Sequence, residues 1–251
     1  MKVLFFILLV WVYPATAAVQ RHFVDVVEEV TDSVGAIALM TPLESNAPSI
    51  LGTGFVVTGG KTVITNYHVV EKPLDPSIVQ YFVFLSGTGQ IVKQVKAEVA
   101  AIDPLHDLAV LTLEQSLPAL TLGDSDMLPP GSDIAFTGFP IGAALGLYPA
   151  THKGIVAAIT PDVIPVASAR QLTLEMLKRE GRDQLLYQLD ATAFPGNSGS
   201  PVYEPATGRV IGIINKVIVK DTKESALSSP SGISYAVPVN YITKLLERAN
   251  Q

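Results

Sequence analysis

The sequence predicts an all-β protein made of two barrels joined by a linker. Three observations carry that expectation. Six short runs rich in Val, Ile, Thr and aromatic residues follow one another from Val34 to Leu113, separated by Gly and Pro turns such as Gly59-Gly60 and Gly87-Thr88-Gly89. A polar, proline-rich stretch, Glu114 to Pro130, then breaks the pattern. Six further runs follow between Asp133 and Pro238, and strands at such spacing suit closed barrels. With 48% hydrophobic and 16% charged residues, the chain can bury a large core and is not disordered in character.

Taken in order, Met1-Lys2, the uncharged apolar run Val3–Tyr13 and the small residues Ala15-Thr16-Ala17 make residues 1–17 a secretory signal, cut after Ala17 or Ala18. The apolar run is too short to span a bilayer, and no other segment is apolar enough. Phe23, Val26, Val27 and Val30 fall at i, i+3, i+4, i+7, which predicts a short amphipathic helix over 23–30. The first strand set is VGAIALM, GTGFVVT, KTVITN, YFVFLS, QIVKQVKAEVAAI and DLAVLTL; the second is DIAFTGFP, KGIVAAIT, LLYQLDA, SPVYE, GRVIGIINKVIV and GISYAVP. The two halves are 18–118 and 119–251. Residues 159–186 connect two of the second set's early strands. Ser168 and Gln171 fit a capping box, and good helix formers run on to Gly181, so a helix is expected over 169–180. That connection leads straight into the stretch around Ser198; the expected helix reads as a cover on a barrel or, alternatively, as a gate on that stretch. Val239 to Asn250 reads as a closing helix, with Pro238 at its start.

The stretch ATAFPGNSGSPV, Ala191 to Val202, holds the candidate chemistry. Ser198 sits between glycines that let the backbone turn sharply and approach a ligand. A nucleophilic serine needs that exposure, with backbone N–H groups aimed at the developing oxyanion; Gly196 and Ser198 are assigned as those donors. The same composition also suits a plain turn between strands. Serine is a poor nucleophile unless an imidazole takes its proton and a carboxylate orients the imidazole. His68, ending TVITNYH, and Asp107, opening the strand LAVLTL, are the candidates, and both fall at loop rims. Asp103 and His106 compete for these roles. Asp103-Pro104 reads as a turn initiator, whereas Asp107 is fixed by the strand it precedes, and His106 is expected to face solvent.

GTGFVV, TNYHVV, HDLAVL, LGDSD, GIVAAI, PGNSGSPV and ISYAVP, in this order over roughly Phe23 to Leu246, resemble the trypsin-like serine peptidases of the HtrA (DegP) type. The resemblance implies two Greek-key β-barrels of the trypsin-like fold, with the cleft between them gathering His68 as base, Asp107 as its carboxylate and Ser198 as nucleophile. Its usual GNSGGP is departed from at Ser200; glutamyl endopeptidases of the same fold do read GNSGSP. The 251 residues read as a protease domain alone, without a PDZ domain, so PDZ-dependent regulation is not expected. In this fold the residue six before the serine floors the primary pocket. Here that is neutral Thr192, followed by Ala193 and Phe194, which implies preference for small or medium apolar side chains. A glutamyl preference is the competing expectation, prompted by GNSGSP and by Lys216 after the strand VIGII; the strand whose histidine meets the acidic side chain in the glutamyl enzymes corresponds here to Ile213-Ile214-Asn215.

The function expected is a serine endopeptidase hydrolysing peptide bonds of exported proteins through an acyl-enzyme. The alternative is a catalytically silent or weakly active protein-binding, chaperone-like module on the same fold. Net charge −6 offers no footprint for nucleic acid. Four histidines without metal-ligand spacing and no cysteine give no reason to expect a cofactor or metal. Absence of disulfides in an exported chain suggests a bacterial periplasmic or secreted protein with protein or peptide substrates.

Overall fold

The computed structural model describes residues 21–45, 47–140, 146–161, 184–217 and 232–249, with the backbone alone at 216–217. The two predicted strand sets close into two antiparallel barrels, ordered β1-β2-β3-β6-β5-β4 and β10-β11-β12-β9-β8-β7. The first comprises β1 (Val34–Met40), β2 (Ser49–Val57), β3 (Thr62–Thr65), β4 (Tyr81–Thr88), β5 (Ile91–Asp103) and β6 (Leu108–Leu113). The second comprises β7 (Asp133–Gly138), β8 (Ala150–Pro161), β9 (Leu185–Asp190), β10 (Pro201–Tyr203), β11 (Val210–Val217) and β12 (Ile233–Pro238). β-Branched and aromatic side chains fill both interiors: Ile37, Val63, Phe84 and Leu111 in the first, Ile134, Phe136, Tyr187 and Ile214 in the second. Closure pairs every strand with two neighbours and removes the exposed edges an open sheet would carry.

Helix α1 (Phe23–Asp32) runs two residues past the predicted end and buries Val26 and Val30 against β1 and β7. A short helix α2 (Tyr67–Val70) follows β3, and α3 (Val239–Ala249) ends the described chain. α3 buries Val239, Ile242 and Leu245, and it leaves the second barrel to pack on β5 and β6 of the first as well as on β11 and β12. The linker is stitched to both halves. Leu120 N–H donates to the Val56 carbonyl, and three residues later Gly123 N–H donates to that of Val210. Phe55, Leu108, Phe139 and Tyr203 continue one apolar core across the seam, so the barrels are held together by buried apolar surface as well as by the chain. The expected leader at 1–17 and the expected helix over 169–180 lie outside the described residues.

Candidate active site

β5 and β6 form a hairpin whose last pair is Asp103 opposite Leu108, leaving Pro104–Asp107 as a four-residue loop. Asp107 ends that loop at φ +53°, in the left-handed region. Such a backbone costs an L-residue roughly 1–2 kcal/mol. The hydrogen bonds it makes offset this, since bonds to a charged group contribute about 1.5–3 kcal/mol each. Asp107 Oδ1 accepts from the His68 backbone N–H at 2.9 Å, and Oδ2 lies 2.6 Å from His68 Nδ1. The Asp107 carbonyl accepts from Tyr67 N–H and from Asn66 Nδ2. His68 and Asp107 are therefore locked together by side chain and backbone. The imidazole is about a third exposed and the carboxylate is almost covered.

Ser198 lies across the seam. Thr53, in β2 of the first barrel, binds its loop: Thr53 N–H donates to the Ser198 carbonyl at 2.8 Å and Thr53 Oγ1 donates to that of Gly196 at 2.7 Å. Thr65 Oγ1, three residues before His68, donates to the Thr53 carbonyl at 2.7 Å. A hydrogen-bonded path thus runs from the strand that leads into His68, through Thr53, to the Ser198 loop. Within the loop, Asn197 N–H donates to the Phe194 carbonyl at 3.0 Å and Gly196 has φ +100°. With Pro195 before it, this is a type II turn, which requires positive φ at the third residue and hence glycine. Among the described residues, neither Gly196 N–H nor Ser198 N–H donates to a backbone acceptor. The Ser198 hydroxyl donates to the Asn215 carbonyl at 3.1 Å. Ser200, where the resemblance expects glycine, is fully buried. A Cβ on Gly138 would come 1.9 Å from Ser200 Oγ, so the glycine of β7 makes room for that hydroxyl.

Of the candidate pocket residues, Ala193 is buried, while Thr192, Phe194 and Asn215 are half-buried; the Lys216 side chain is outside the described residues. Ser234 of β12 donates to the Ala191 carbonyl at 2.9 Å and anchors the start of this segment. His152 stacks on Phe136, centroids 4.7 Å apart, and leans against Phe194 at 6.0 Å. Burial disfavours the charged ring and moves His152 below its ordinary value of 6.5. Between the folded and unfolded values the unfolded chain binds a proton that the folded chain refuses. Stability from this group is therefore present above 6.5 and lost as pH falls through the lowered folded value. His152→Phe, which keeps the stack, is expected to lose less thermal midpoint than wild type between about pH 7.5 and 5.5. Parallel melting curves with equal losses would remove His152 from the acid response.

Comparison with known proteins gives the same fold. A family model described as trypsin-like peptidase domain matches residues 52–213. The chain belongs to the trypsin-like peptidase family. A "Probable periplasmic serine endoprotease DegP-like" of Halomonas elongata is 30% identical over 191 residues, covering 76% of this chain and 33% of that one. A "Serine protease Do-like HtrA" of Lactococcus lactis is 32% identical over 194 residues, covering 76% and 41%. The chain thus spans about a third of the length of the first curated relatives it matches. Among solved structures, "HtrA-type protease AlgW with decapeptide" superposes with TM-score 0.67 at 22% identity over 91% of this chain and 67% of that one. "Crystal structure of Deg5" gives 0.61 at 23% identity, covering 88% and 90%.

In this trypsin-like peptidase domain His106 departs from expectation. It does not face solvent: its side chain is 18% exposed, its Nδ1 lies 2.8 Å from Asp103 Oδ2, and its ring stacks on Tyr241 of α3 at 4.3 Å. An apolar ring face gains more by stacking on another ring than by hydration, and the neighbouring carboxylate takes its polar edge. Sequence reading also passed over Thr53 and Ser234. Each looks like an ordinary strand residue, and only the partner across the seam or the sheet gives it a role. The glycines on either side of Thr53 in GTGF were the one available signal, since they allow close backbone approach: a Cβ on Gly52 would come 3.1 Å from the Ser198 carbonyl oxygen.

Proposed function

We propose that this chain is a serine endopeptidase acting on exported proteins or peptides through an acyl-enzyme. Ser198 Oγ attacks the peptide carbonyl carbon while its proton passes to His68 Nε2. His68 then gives that proton to the leaving amine. Water enters and repeats the two transfers on the ester. Asp107 fixes the Nδ1–H tautomer of His68 and balances the imidazolium charge, and the N–H groups of Gly196 and Ser198 hold the oxyanion. The observation that carries the reading is the double grip of Asp107 on His68, at 2.9 and 2.6 Å, beside the Thr53 bond to the Ser198 loop. In the resting arrangement the hydroxyl donates to the Asn215 carbonyl; in the proposed scheme it turns to His68 when substrate binds, since catalytic hydrogen bonds commonly tighten only then. A fluorophosphonate probe tests the whole. Wild type should label at a single site and Ser198→Ala should not; an unlabelled, folded wild type rejects the reading.

The oxyanion assignment has its own test. Alanine at Gly196 disfavours the positive φ of the type II turn and favours type I, in which the Pro195–Gly196 peptide is turned by half a revolution. The carbonyl then replaces the N–H, so Gly196→Ala is expected to lower kcat by roughly 10²- to 10³-fold with little change in KM. An unchanged kcat would mean that the donor lies elsewhere.

Thr192, Ala193, Phe194, Asn215 and Lys216 are proposed to line the primary pocket, which takes small or medium apolar side chains. No acid is present at Thr192 to pair with Arg or Lys. A peptide library should show cleavage after Ala or Val. Efficient cleavage after Glu that disappears in Lys216→Ala would replace this by the glutamyl preference. The relatives named periplasmic support export to a bacterial periplasm or medium, with the leader cut near Ala17 or Ala18; the first residue of the recovered protein reports the cut. Among the described residues no helix is long and apolar enough to cross a membrane.

A further inference from the structure

The C-terminal helix reaches the loop that carries Asp107 through a second histidine–aspartate pair. Arg248, in the last turn of α3, donates from Nη2 to Asp103 Oδ2 at 2.5 Å. The same oxygen lies 2.8 Å from His106 Nδ1, and Asp103 Oδ1 accepts from His106 N–H at 3.3 Å. Asp103 immediately precedes the four-residue loop and His106 lies near its end, so the carboxylate ties the loop across its own base. His106 immediately precedes Asp107, the residue with the left-handed backbone. Tyr241, two helical turns before Arg248, presses its ring on His106, and its hydroxyl accepts from Leu185 N–H at 3.2 Å.

The Asp103 side chain is only 7% exposed, whereas Arg248 is 58% exposed. An exposed ion pair alone would contribute little, but a covered carboxylate left without partners is strongly unfavourable. Burial opposes its charge, yet the bonds from His106 and Arg248 prevail and hold Asp103 below its ordinary value. Asp103 therefore stays an acceptor, able to grip the two donors together.

We propose that Asp103, His106 and Arg248 form a positioning latch by which α3 holds Asp107 in the conformation that orients His68. None of the three touches substrate. The inference rests on the peptidase reading for its consequence in catalysis, but not for the geometry it asserts. A loop freed of its tie would relax Asp107 toward ordinary backbone angles. The carboxylate would then lose the shared alignment with His68 N–H and Nδ1, and a shift of about 1 Å in a catalytic group can cost on the order of 10²-fold in rate.

The test uses Asp103→Asn, Arg248→Ala and Arg248→Lys in the mature chain. Proton NMR follows the Nδ1–H signal of His68, assigned by its loss in His68→Ala, and fluorophosphonate labelling gives the inactivation rate and the apparent affinity separately. Melting curves identify any variant that fails to fold; Arg248→Ala, a change at an exposed helix position, keeps the test open if Asp103→Asn does so. The expected result is a broadened or displaced His68 Nδ1–H signal in Asp103→Asn and Arg248→Ala. Their inactivation rate should fall about 10- to 100-fold at unchanged affinity, with recovery in Arg248→Lys. A folded Arg248→Ala with wild-type signal and rate overturns the latch. If wild type itself does not label, the peptidase reading fails, and the NMR signal alone decides whether α3 positions Asp107.

Discussion

Ser198→Ala is expected to lower kcat by roughly 10⁶-fold while leaving the fold almost undisturbed, the pattern of a triad whose members act as one unit. The structural cost is small because, among the described residues, the hydroxyl makes one hydrogen bond, to the Asn215 carbonyl, and the backbone of the loop is held by Thr53 instead. The chemical cost is large because no neighbouring group replaces the nucleophile. His68→Ala should give a similar loss, and the double variant should be no worse than either. Additive losses in the double variant would show that Ser198 and His68 act independently, which the acyl-enzyme scheme does not allow. A residual rate of about 10³- to 10⁴-fold over water should survive in all three, from the oxyanion donors and substrate binding. Steady-state hydrolysis of a good peptide substrate, with protein purified free of host proteases, measures each value.

Asp107→Asn is expected to lower kcat by about 10⁴-fold without changing the shape of the site. Asp107 Oδ1 accepts the His68 backbone N–H at 2.9 Å and Oδ2 faces Nδ1 at 2.6 Å, so both oxygens act as acceptors. An asparagine has one acceptor and one donor group. The backbone N–H can only donate, which assigns the amide oxygen to that side and turns the NH₂ toward Nδ1. Nδ1 must then accept, the ring proton moves to Nε2, and the base can no longer take the proton of Ser198. The carbonyl bonds of Asp107 to Tyr67 and Asn66 remain, so the melting curve should change far less than the rate. A variant retaining more than about a tenth of wild-type kcat would remove Asp107 from the orienting role, because that loss is too small for a reversed tautomer. Raising the pH should restore part of the activity, since hydroxide can take the serine proton that the wrongly protonated ring refuses.

The sequence by itself determined the two-barrel plan, because alternation, β-branched residues and turn punctuation are local, and each strand carries its own share of them. It also offered His68, Asp107 and Ser198 as the candidates for the chemistry, each in a short motif, with Asp103 and His106 competing for two of the roles. Helix α1 was legible for the same reason, from the spacing of Phe23, Val26, Val27 and Val30. What only the tertiary structure decided are pairings between groups far apart in the chain. Thr53 meets the Ser198 loop, Gly138 yields space to Ser200, and the Ser198 hydroxyl turns to Asn215. His106, expected in solvent, is taken up by Asp103 and Tyr241. The physical reason is common to all of them. A hydrogen bond or a ring stack depends on position to within a fraction of an ångström, and that position is set only when the barrels have closed and α3 has packed across them.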